Sequence, residues 1–374
     1  MRPSICARCL LPDGWARVKL TKEGTCNYCR QWEAAGPELL DPGRYAPLLR
    51  DRIERTRGRF AYDAAVGLSG GKDGAYVLHR LRHDFGANVL AVTFDHGFLS
   101  EHARRNVKSL CRSGHWDHVV YRPDWGRLRN AYREALRRFA DPCLACSLFG
   151  YSLAVRGCQD LRIPCFVHGR SPFQMFRSFC PGSSDPTLAL VRSNLQAPAE
   201  RRLRRTYRRI TRNLRRLLRA LLPDPRDRRR AMQELFLDVS PHAEVVPEFL
   251  AYFLYAEYDE LAIVRELEGS GTGYRRPPGY RIMGHGDCLI HAAAEHFHER
   301  RHGVSRTATD VAVMLRMNVV DRAEAERIID ANRPSEEEVD ISIACLAERL
   351  EIDRSEIEAL TQDTHRYAAP VPLS

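Results

Sequence analysis

Apolar residues follow different rhythms along the chain, and each rhythm predicts a different kind of structure. Between about 60 and 180, short apolar runs alternate with helix-like stretches. The runs at 63–68, 88–94, 117–121 and 163–168 read as strands, and 75–81 and 100–112 as helices. Such alternation predicts an α/β fold with a parallel sheet covered by helices. From about 181 to 240 the rhythm changes. Pro181-Gly182-Ser183-Ser184 signals a loop, and Leu203, Tyr207, Ile210, Leu214, Leu217, Leu218 and Leu221 then recur every three or four residues. That spacing predicts an amphipathic helix, ended by Pro223 and Pro225. Residues 241–374 read as mainly helical, with a capping box at Ser335-Glu336-Glu337-Glu338 ahead of Val339, Ile343, Leu346 and Leu350. Residues 1–35 show little apolar periodicity and are rich in cysteine, as expected of a small module held by metal. The reading therefore divides the chain into 1–35, 36–180, 181–240 and 241–374.

Composition changes this picture in two places. A chain of 374 residues with 44% hydrophobic and 28% charged content has the make-up of a soluble globular protein. No apolar run approaches the roughly 18 to 20 residues that cross a bilayer, and Met1 to Cys6 lack the features of a secretory signal. A cytoplasmic setting is expected, with thiols kept reduced. Twelve cysteines there argue for metal or catalysis rather than disulfides. The net charge of +10 is also localised. Residues 201–230 hold 14 arginines against Asp224 and Asp227, a local excess of +12. The rest of the chain is close to neutral.

Candidate chemistry begins at Ser69-Gly70-Gly71-Lys72-Asp73, placed between a buried strand and a helix. Small residues there let the backbone turn sharply and present N–H groups, and the helix dipole adds positive potential, so the turn suits phosphate. Lys72 supplies a point charge, and Asp73 can hold the Mg²⁺ that accompanies a nucleotide. The G-x-x-x-x-G-K-[ST] loop is absent. Phe94 and Asp95 end the second strand, and Gly169 and Arg170 follow a later one. Open α/β sheets bind ligands at these strand ends.

Cys6-x2-Cys9-x16-Cys26-x2-Cys29 has the spacing of a four-thiolate zinc site; an iron centre or redox thiols are the alternatives. Cys143 and Cys146 form a second pair. They are either helix-start cysteines packed under the sheet or, with Cys288, ligands of a [4Fe–4S] cluster that leaves one iron free. Cys111, Cys158, Cys165, Cys180 and Cys345 read as core or incidental. His291, Glu295, His298 and His302 share one helical face, read mainly as solvated; His285 or His291 could serve as acid or base near Cys288. The arginine face suits phosphates of RNA, a sugar nucleotide, an acidic lipid surface or a partner, or is simply solvated.

The glycine turn resembles the S-G-G-x-D-S loop of PP-loop ATP pyrophosphatases (adenine nucleotide alpha hydrolase-like), with Gly74 where that family usually has Ser. Taken with Cys6, Cys9, Gly24-Thr25-Cys26-Asn27-Tyr28-Cys29, Thr93-Phe94-Asp95, Gly286-Asp287-Cys288 and Thr307-Ala308-Thr309-Asp310, the chain resembles the N-acetyl sugar amidotransferases. Residues from about 181 to 235 fall outside the resemblance. The resemblance implies a PP-loop core at 36–180, preceded by a zinc ribbon and followed by a helical region. It also implies ATP, Mg²⁺ and Zn²⁺, with adenosine seated beyond Phe94 and Asp95, and Ser69 to Gly74, Gly169 and Arg170 facing the nucleotide. The implied reaction adenylates a carbonyl oxygen of a small, sugar-type acceptor, releases pyrophosphate, and replaces AMP with ammonia from a separate glutaminase. PP-loop enzymes that thiolate tRNA suggest a second reading, with sulfide as nucleophile, a separate sulfur donor, and Cys143, Cys146 and Cys288 around an iron–sulfur cluster. A nucleotide- or RNA-binding module without enzymatic activity is the third.

Overall fold

The computed structural model describes residues 4–177, 191–197, 199–235 and 243–362. Cys180 and the loop expected at 181–184 lie outside the described residues. Five strands form one sheet: β1 (Ala64–Gly67), β2 (Val89–Phe94), β3 (His118–Tyr121), β4 (Cys165–His168) and β5 (Glu248–Ala251). Their order is β3-β2-β1-β4-β5 and every pairing is parallel. Register is fixed by pairs such as Ala65 opposite Phe166 and Val167 opposite Leu250. Both faces of such a sheet are covered, so its central strands carry apolar runs without alternation; Ala64, Ala65, Val66 and Val167 are buried. Four strands fall within the runs picked out by pattern. The fifth comes from the stretch expected to be helical.

Helices α1 (Asn27–Leu39) and α2 (Pro42–Thr56) precede the sheet, and α3 (Lys72–Phe85), α4 (Glu101–Ser113), α5 (Trp125–Phe139), α6 (Cys143–Asp160) and α7 (Pro172–Phe176) are interleaved with its strands. The arginine tract forms α8 (Glu200–Leu221), with α9 (Pro225–Glu234) after the proline pair. After β5 come α10 (Glu260–Gly269), α11 (His291–His302), α12 (Arg306–Arg316), α13 (Arg322–Ala331), α14 (Glu336–Leu350) and α15 (Arg354–Gln362). The capping box at Ser335 and Glu338 forms as expected at the start of α14. No helix among the described residues is long and apolar enough to cross a membrane.

One face of the sheet packs Val66 and Val167 with Leu78 of α3, Ile53 of α2 and the cysteines of the amino-terminal module. The other packs Ala65, Val92 and Phe166 with Val155 of α6 and with Leu203 and Tyr207 of α8. Further along α8, Leu217, Leu218 and Leu221 enter a helical cluster with Leu128 and Phe149. The leucine stripe thus docks α8 on the body of the protein, leaving arginines such as Arg208, Arg212, Arg216 and Arg219 exposed.

Strand order reverses at β1. The chain steps from β1 to β2 and β3 on one side, then returns to place β4 and β5 on the other. Loops leaving the carboxyl ends of β1 and β4 therefore diverge and open a crevice between them, the usual ligand position in open α/β sheets.

Candidate functional site

That crevice holds a cavity of about 500 Å³, and its floor is the turn from β1 into α3. Gly70 adopts φ +89°, and a Cβ there would stand 2.3 Å from the Ala103 carbonyl oxygen of α4. Only glycine fits that backbone and that approach. Carbonyls of the turn are tied back from the cavity: Leu68 O accepts from Thr93 Oγ1 at 2.7 Å, and Gly70 O from Asn106 Nδ2 at 2.9 Å. The N–H groups of the first turn of α3 have no intrahelical acceptors. Such an arrangement suits an anion.

Gly74 and Gly169 show why the two loops lie so close. A Cβ on Gly74 would sit 2.4 Å from the Gly67 carbonyl oxygen, and one on Gly169 2.7 Å from the Asp73 backbone. The glycine at 74 is thus demanded by the approach of α3 to β1. Gly74→Ser is expected to lower the thermal midpoint, at a cost of about 1 to 3 kcal/mol for overpacking. A variant whose midpoint is unchanged in calorimetry would contradict this account.

Lys72 is almost wholly enclosed. Its ammonium lies 3.3 Å from Asp73 and 3.6 Å from Glu260 at the start of α10. Burial opposes its charge, but the two carboxylates outweigh burial and hold its pKa above the ordinary lysine value. Glu260 accepts from Tyr280 Oη at 2.5 Å and Met283 N at 3.0 Å, and Tyr258 Oη donates to Asp73 at 3.2 Å. Burial raises the Asp73 pKa. Asp73 is therefore engaged by protein groups, whereas the Asp287 carboxylate stands 3.7 Å from where a Cβ on Gly71 would be. Asp287 is the carboxylate that faces the turn.

Cys143 and Cys146 occupy the first turn of α6, where Asp141 accepts from Cys143 N at 3.0 Å. Cys288 reaches the same cavity from a distant part of the sequence because its segment is stitched to the loop after β2. Ser100 N donates to Asp287 O at 2.9 Å, Leu289 N to Phe98 O at 2.9 Å, and Leu99 bridges Cys288. All three cysteines line the cavity. Burial pushes their thiols up, Cys146 to about 12. Among the described residues their sulfurs do not form a tight ligand group like that of the amino-terminal cysteines.

The face formed by His291, Glu295, His298 and His302 corrects the solvated reading. It turns inward. Glu295 is buried, and both His291 and Glu295 line the cavity. Burial drives His291 well below the ordinary histidine value, His298 to about 3 and His302 to about 4. Their polarity serves a polar interior, which has the same periodicity as a wet surface. The first two turns of α12 contribute Arg306, Thr307 and Asp310 to the lining. Arg306 pairs with Asp141 at 2.9 Å, and Arg177 grips both oxygens of Asp310 at 2.7 and 2.8 Å.

Of the residues singled out by sequence, Ser69 to Gly74, Phe94, Gly169, Arg170, Cys143, Cys146 and Cys288 meet in this one cavity. Asp95 does not line it; Arg104 and Arg122 hold its carboxylate at 3.2 and 3.1 Å and depress its pKa despite partial burial. Tyr258, Glu260, Arg177, Arg306 and the facing carboxylate of Asp287 were not picked out as site residues.

The amino-terminal cysteines form a separate centre. Cys6, Cys9, Cys26 and Cys29 are buried, with sulfurs 3.6 to 3.8 Å apart in the pairs Cys9–Cys26, Cys26–Cys29 and Cys6–Cys29. A Zn–S bond of about 2.3 Å sets tetrahedral sulfurs about 3.8 Å apart. The group could hold a metal ion such as zinc, and its spacing fits. Cys26 N and Cys29 N point to sulfurs at 3.3 and 3.4 Å, and Arg316 Nη1 lies 3.8 Å from Cys9 Sγ. Donors of this kind temper the negative charge of four thiolates.

No protein-family model matches the chain, and no curated protein matches it.

Proposed function

We propose that the protein is an ATP pyrophosphatase of the PP-loop type, which adenylates a carbonyl oxygen of an acceptor and then replaces AMP with nitrogen, as an amidotransferase does. The observation that carries this reading is the Ser69–Asp73 turn at the reversal point of an all-parallel sheet, lining one cavity with Arg170, Asp287 and Arg306. Backbone N–H groups and Lys72 would hold the β- and γ-phosphates, and Arg170 offers a further cation at the β4 loop. Asp287 would hold Mg²⁺, which would offset phosphate charge, while Asp73, expected from sequence to do so, stays paired with Lys72 and Tyr258. Attack by the carbonyl oxygen on the α-phosphorus would form a P–O bond and expel pyrophosphate. Ammonia would then add to the carbonyl carbon, and AMP would leave with the original oxygen. Positioning and preorganised charge supply such catalysis. The nitrogen donor would be a separate glutaminase, and a cytoplasmic setting accords with this chemistry.

One observation favours a second reading, a sulfurtransferase acting on tRNA or a small molecule. Cys143, Cys146 and Cys288 line the same cavity as the Ser69–Asp73 turn, where three thiolates would hold a [4Fe–4S] cluster and leave an iron open to sulfide. Anaerobic purification separates the two. Brown protein whose visible absorption disappears in Cys143→Ala would favour sulfur, whereas colourless protein with one zinc would favour nitrogen. Pyrophosphate release from ATP is expected in either case with an activating acceptor. Nucleotide binding without pyrophosphate release across carbonyl-bearing acceptors would favour a binding module and overturn both.

A further inference from the structure

The outer face of α8 carries a strong charge that the chemistry of the main cavity does not use. The 22 residues of this helix hold ten arginines and a single acid, Glu200. Arg208, Arg212, Arg215, Arg216 and Arg219 are exposed and share an arc of about 100° at 3.6 residues per turn. With Thr211 they line an open depression of about 430 Å³. Glu200 is taken by Arg204 at 2.7 Å, and among the described residues none of the five has an ion-pair partner.

That arrangement departs from the rest of the surface. Exposed arginines on other helices are paired within about one turn, as Arg50 with Glu54, Arg105 with Glu101 and Arg156 with Asp160. Like charges three and four residues apart repel, so α8 keeps a charge that its own sequence does not neutralise. The residues outside the described ones cannot neutralise it either, since their acidic side chains are only Asp185, Asp238 and Asp363.

We infer that this face binds the phosphate backbone of RNA. Guanidinium groups meet phosphate oxygens in a two-pronged geometry, and five of them spread over about 16 Å of helix suit a run of phosphates. The other polyanionic partners fit the face poorly. A membrane needs an apolar stripe to enter the lipid, and that of α8 is spent on the body: Leu203, Leu217, Leu218 and Leu221 are buried, and no large apolar side chain of the helix is exposed. A folded protein partner needs buried apolar or aromatic anchors, which the face does not offer. With no exposed ring for stacking, its contacts are to the backbone and carry no sequence preference.

The choice of RNA over DNA rests on the adenylating reading of the main cavity. Nucleobase ring carbonyls are acceptors for that chemistry, and RNA presents them in single-stranded loops whose bases can be splayed out. Helix α6 links the two places. It packs with α8 through Val155 and Phe149, and it lines the main cavity through Cys146 and Gly150. The arginine face is thus about two helix diameters, ~20 Å, from the cavity, a span of several nucleotides.

The test follows the fluorescence anisotropy of a fluorescein-labelled RNA hairpin with a single-stranded loop, titrated with the full-length protein from about 50 to about 200 mM salt. Five phosphate contacts give a log–log salt slope of about −3.5 to −4.5, a loss of about 10²-fold in affinity over that range. Arg208→Gln, Arg212→Gln, Arg215→Gln and Arg219→Gln combined should flatten the slope by about 3 to 4 and weaken binding at least about tenfold at the lowest salt. Glutamine forms helix well and relieves the repulsion, so the thermal midpoint should hold or rise. Where the combined variant fails to fold, each single replacement should still remove about one unit of slope. Absence of saturable binding overturns the proposal, as does an unchanged slope in the variants. Binding at least as tight to phosphatidylglycerol vesicles, poly-glutamate or duplex DNA overturns it too, and assigns the face to a membrane, an acidic protein or DNA. Pyrophosphate release is measured separately, with the hairpin and with small carbonyl acceptors. Hairpin binding that leaves release unchanged supports the surface and overturns only RNA as the adenylated acceptor. Release with small acceptors but no hairpin binding overturns the surface and leaves the adenylating reading in place.

Discussion

Cys26→Ala is expected to abolish metal binding at the amino terminus and to unfold residues 4 to about 39. Cys26 is the N-cap of α1 and lies within 3.6 Å of the sulfurs of Cys9 and Cys29. Its loss removes one ligand and the start of the helix together. Structural zinc contributes roughly 10 to 16 kcal/mol in small finger peptides, far more than the local apolar packing around Cys6 and Val18 could replace. The effect should not stop at the module. Arg316, buried beside Cys9 and over the Tyr28 ring, is the last residue of α12, and Arg306, Thr307 and Asp310 at the other end line the cavity. Eleven helical residues, about 16 Å, therefore join the metal group to the candidate active site. Metal analysis should fall from one ion per chain to none, limited proteolysis should cut within 4–39, and the thermal midpoint should drop. Wild-type protein that carries no metal, and whose midpoint ignores a strong chelator, would contradict the account.

Local chemistry was legible in the sequence wherever the chain itself brings residues together. The paired Cys-x2-Cys units needed only a hairpin-like turn to close, and the glycine turn needed only the strand and helix on either side. The α8 stripe was readable because an amphipathic surface helix has a period that its neighbours do not alter. Residues delivered by tertiary structure were mostly not legible as site residues, Cys288 being the exception because its glycine-rich setting singled it out. Glu260 is nearly 190 positions from Lys72, yet Lys72 meets it at 3.6 Å. Arg177 and Asp310 form a bidentate pair across 133 positions. β5 was missed because its four residues run straight into the aromatic stretch Tyr252–Leu254, and a short apolar run of that length fits a buried helix as well as a strand. The α11 face failed for a different reason. A polar stripe has the same period whether it meets water or a polar cavity, and only the packing of α12 and α14 against α11 distinguishes the two.

Lys72→Met is expected to slow pyrophosphate release by about 10² to 10³, the usual cost of removing one preorganised group that stabilises developing charge. The same substitution strips the counter-ion from Asp73 and Glu260, both enclosed around the ammonium. Breaking a buried pair by removing one partner costs about 3 to 5 kcal/mol, so a distorted turn would by itself be enough to lower activity. Lys72→Met with Glu260→Gln separates these effects. The amide keeps an acceptor for Tyr280 and Met283 N while relieving the unpaired charge. Thermal stability should then recover most of its loss, whereas the rate should stay at the level of the single variant, because the Lys72 ammonium no longer meets the phosphates. The sign with pH follows from the same cluster. Folding holds the Lys72 pKa above its ordinary value, so its stabilising contribution is complete at neutral pH and is lost only as pH rises through that raised value. Acid alone should therefore not mimic the lysine variant. Recovery of the rate together with the thermal midpoint would reduce Lys72 to a structural counter-ion of Glu260 and remove the phosphate-binding role.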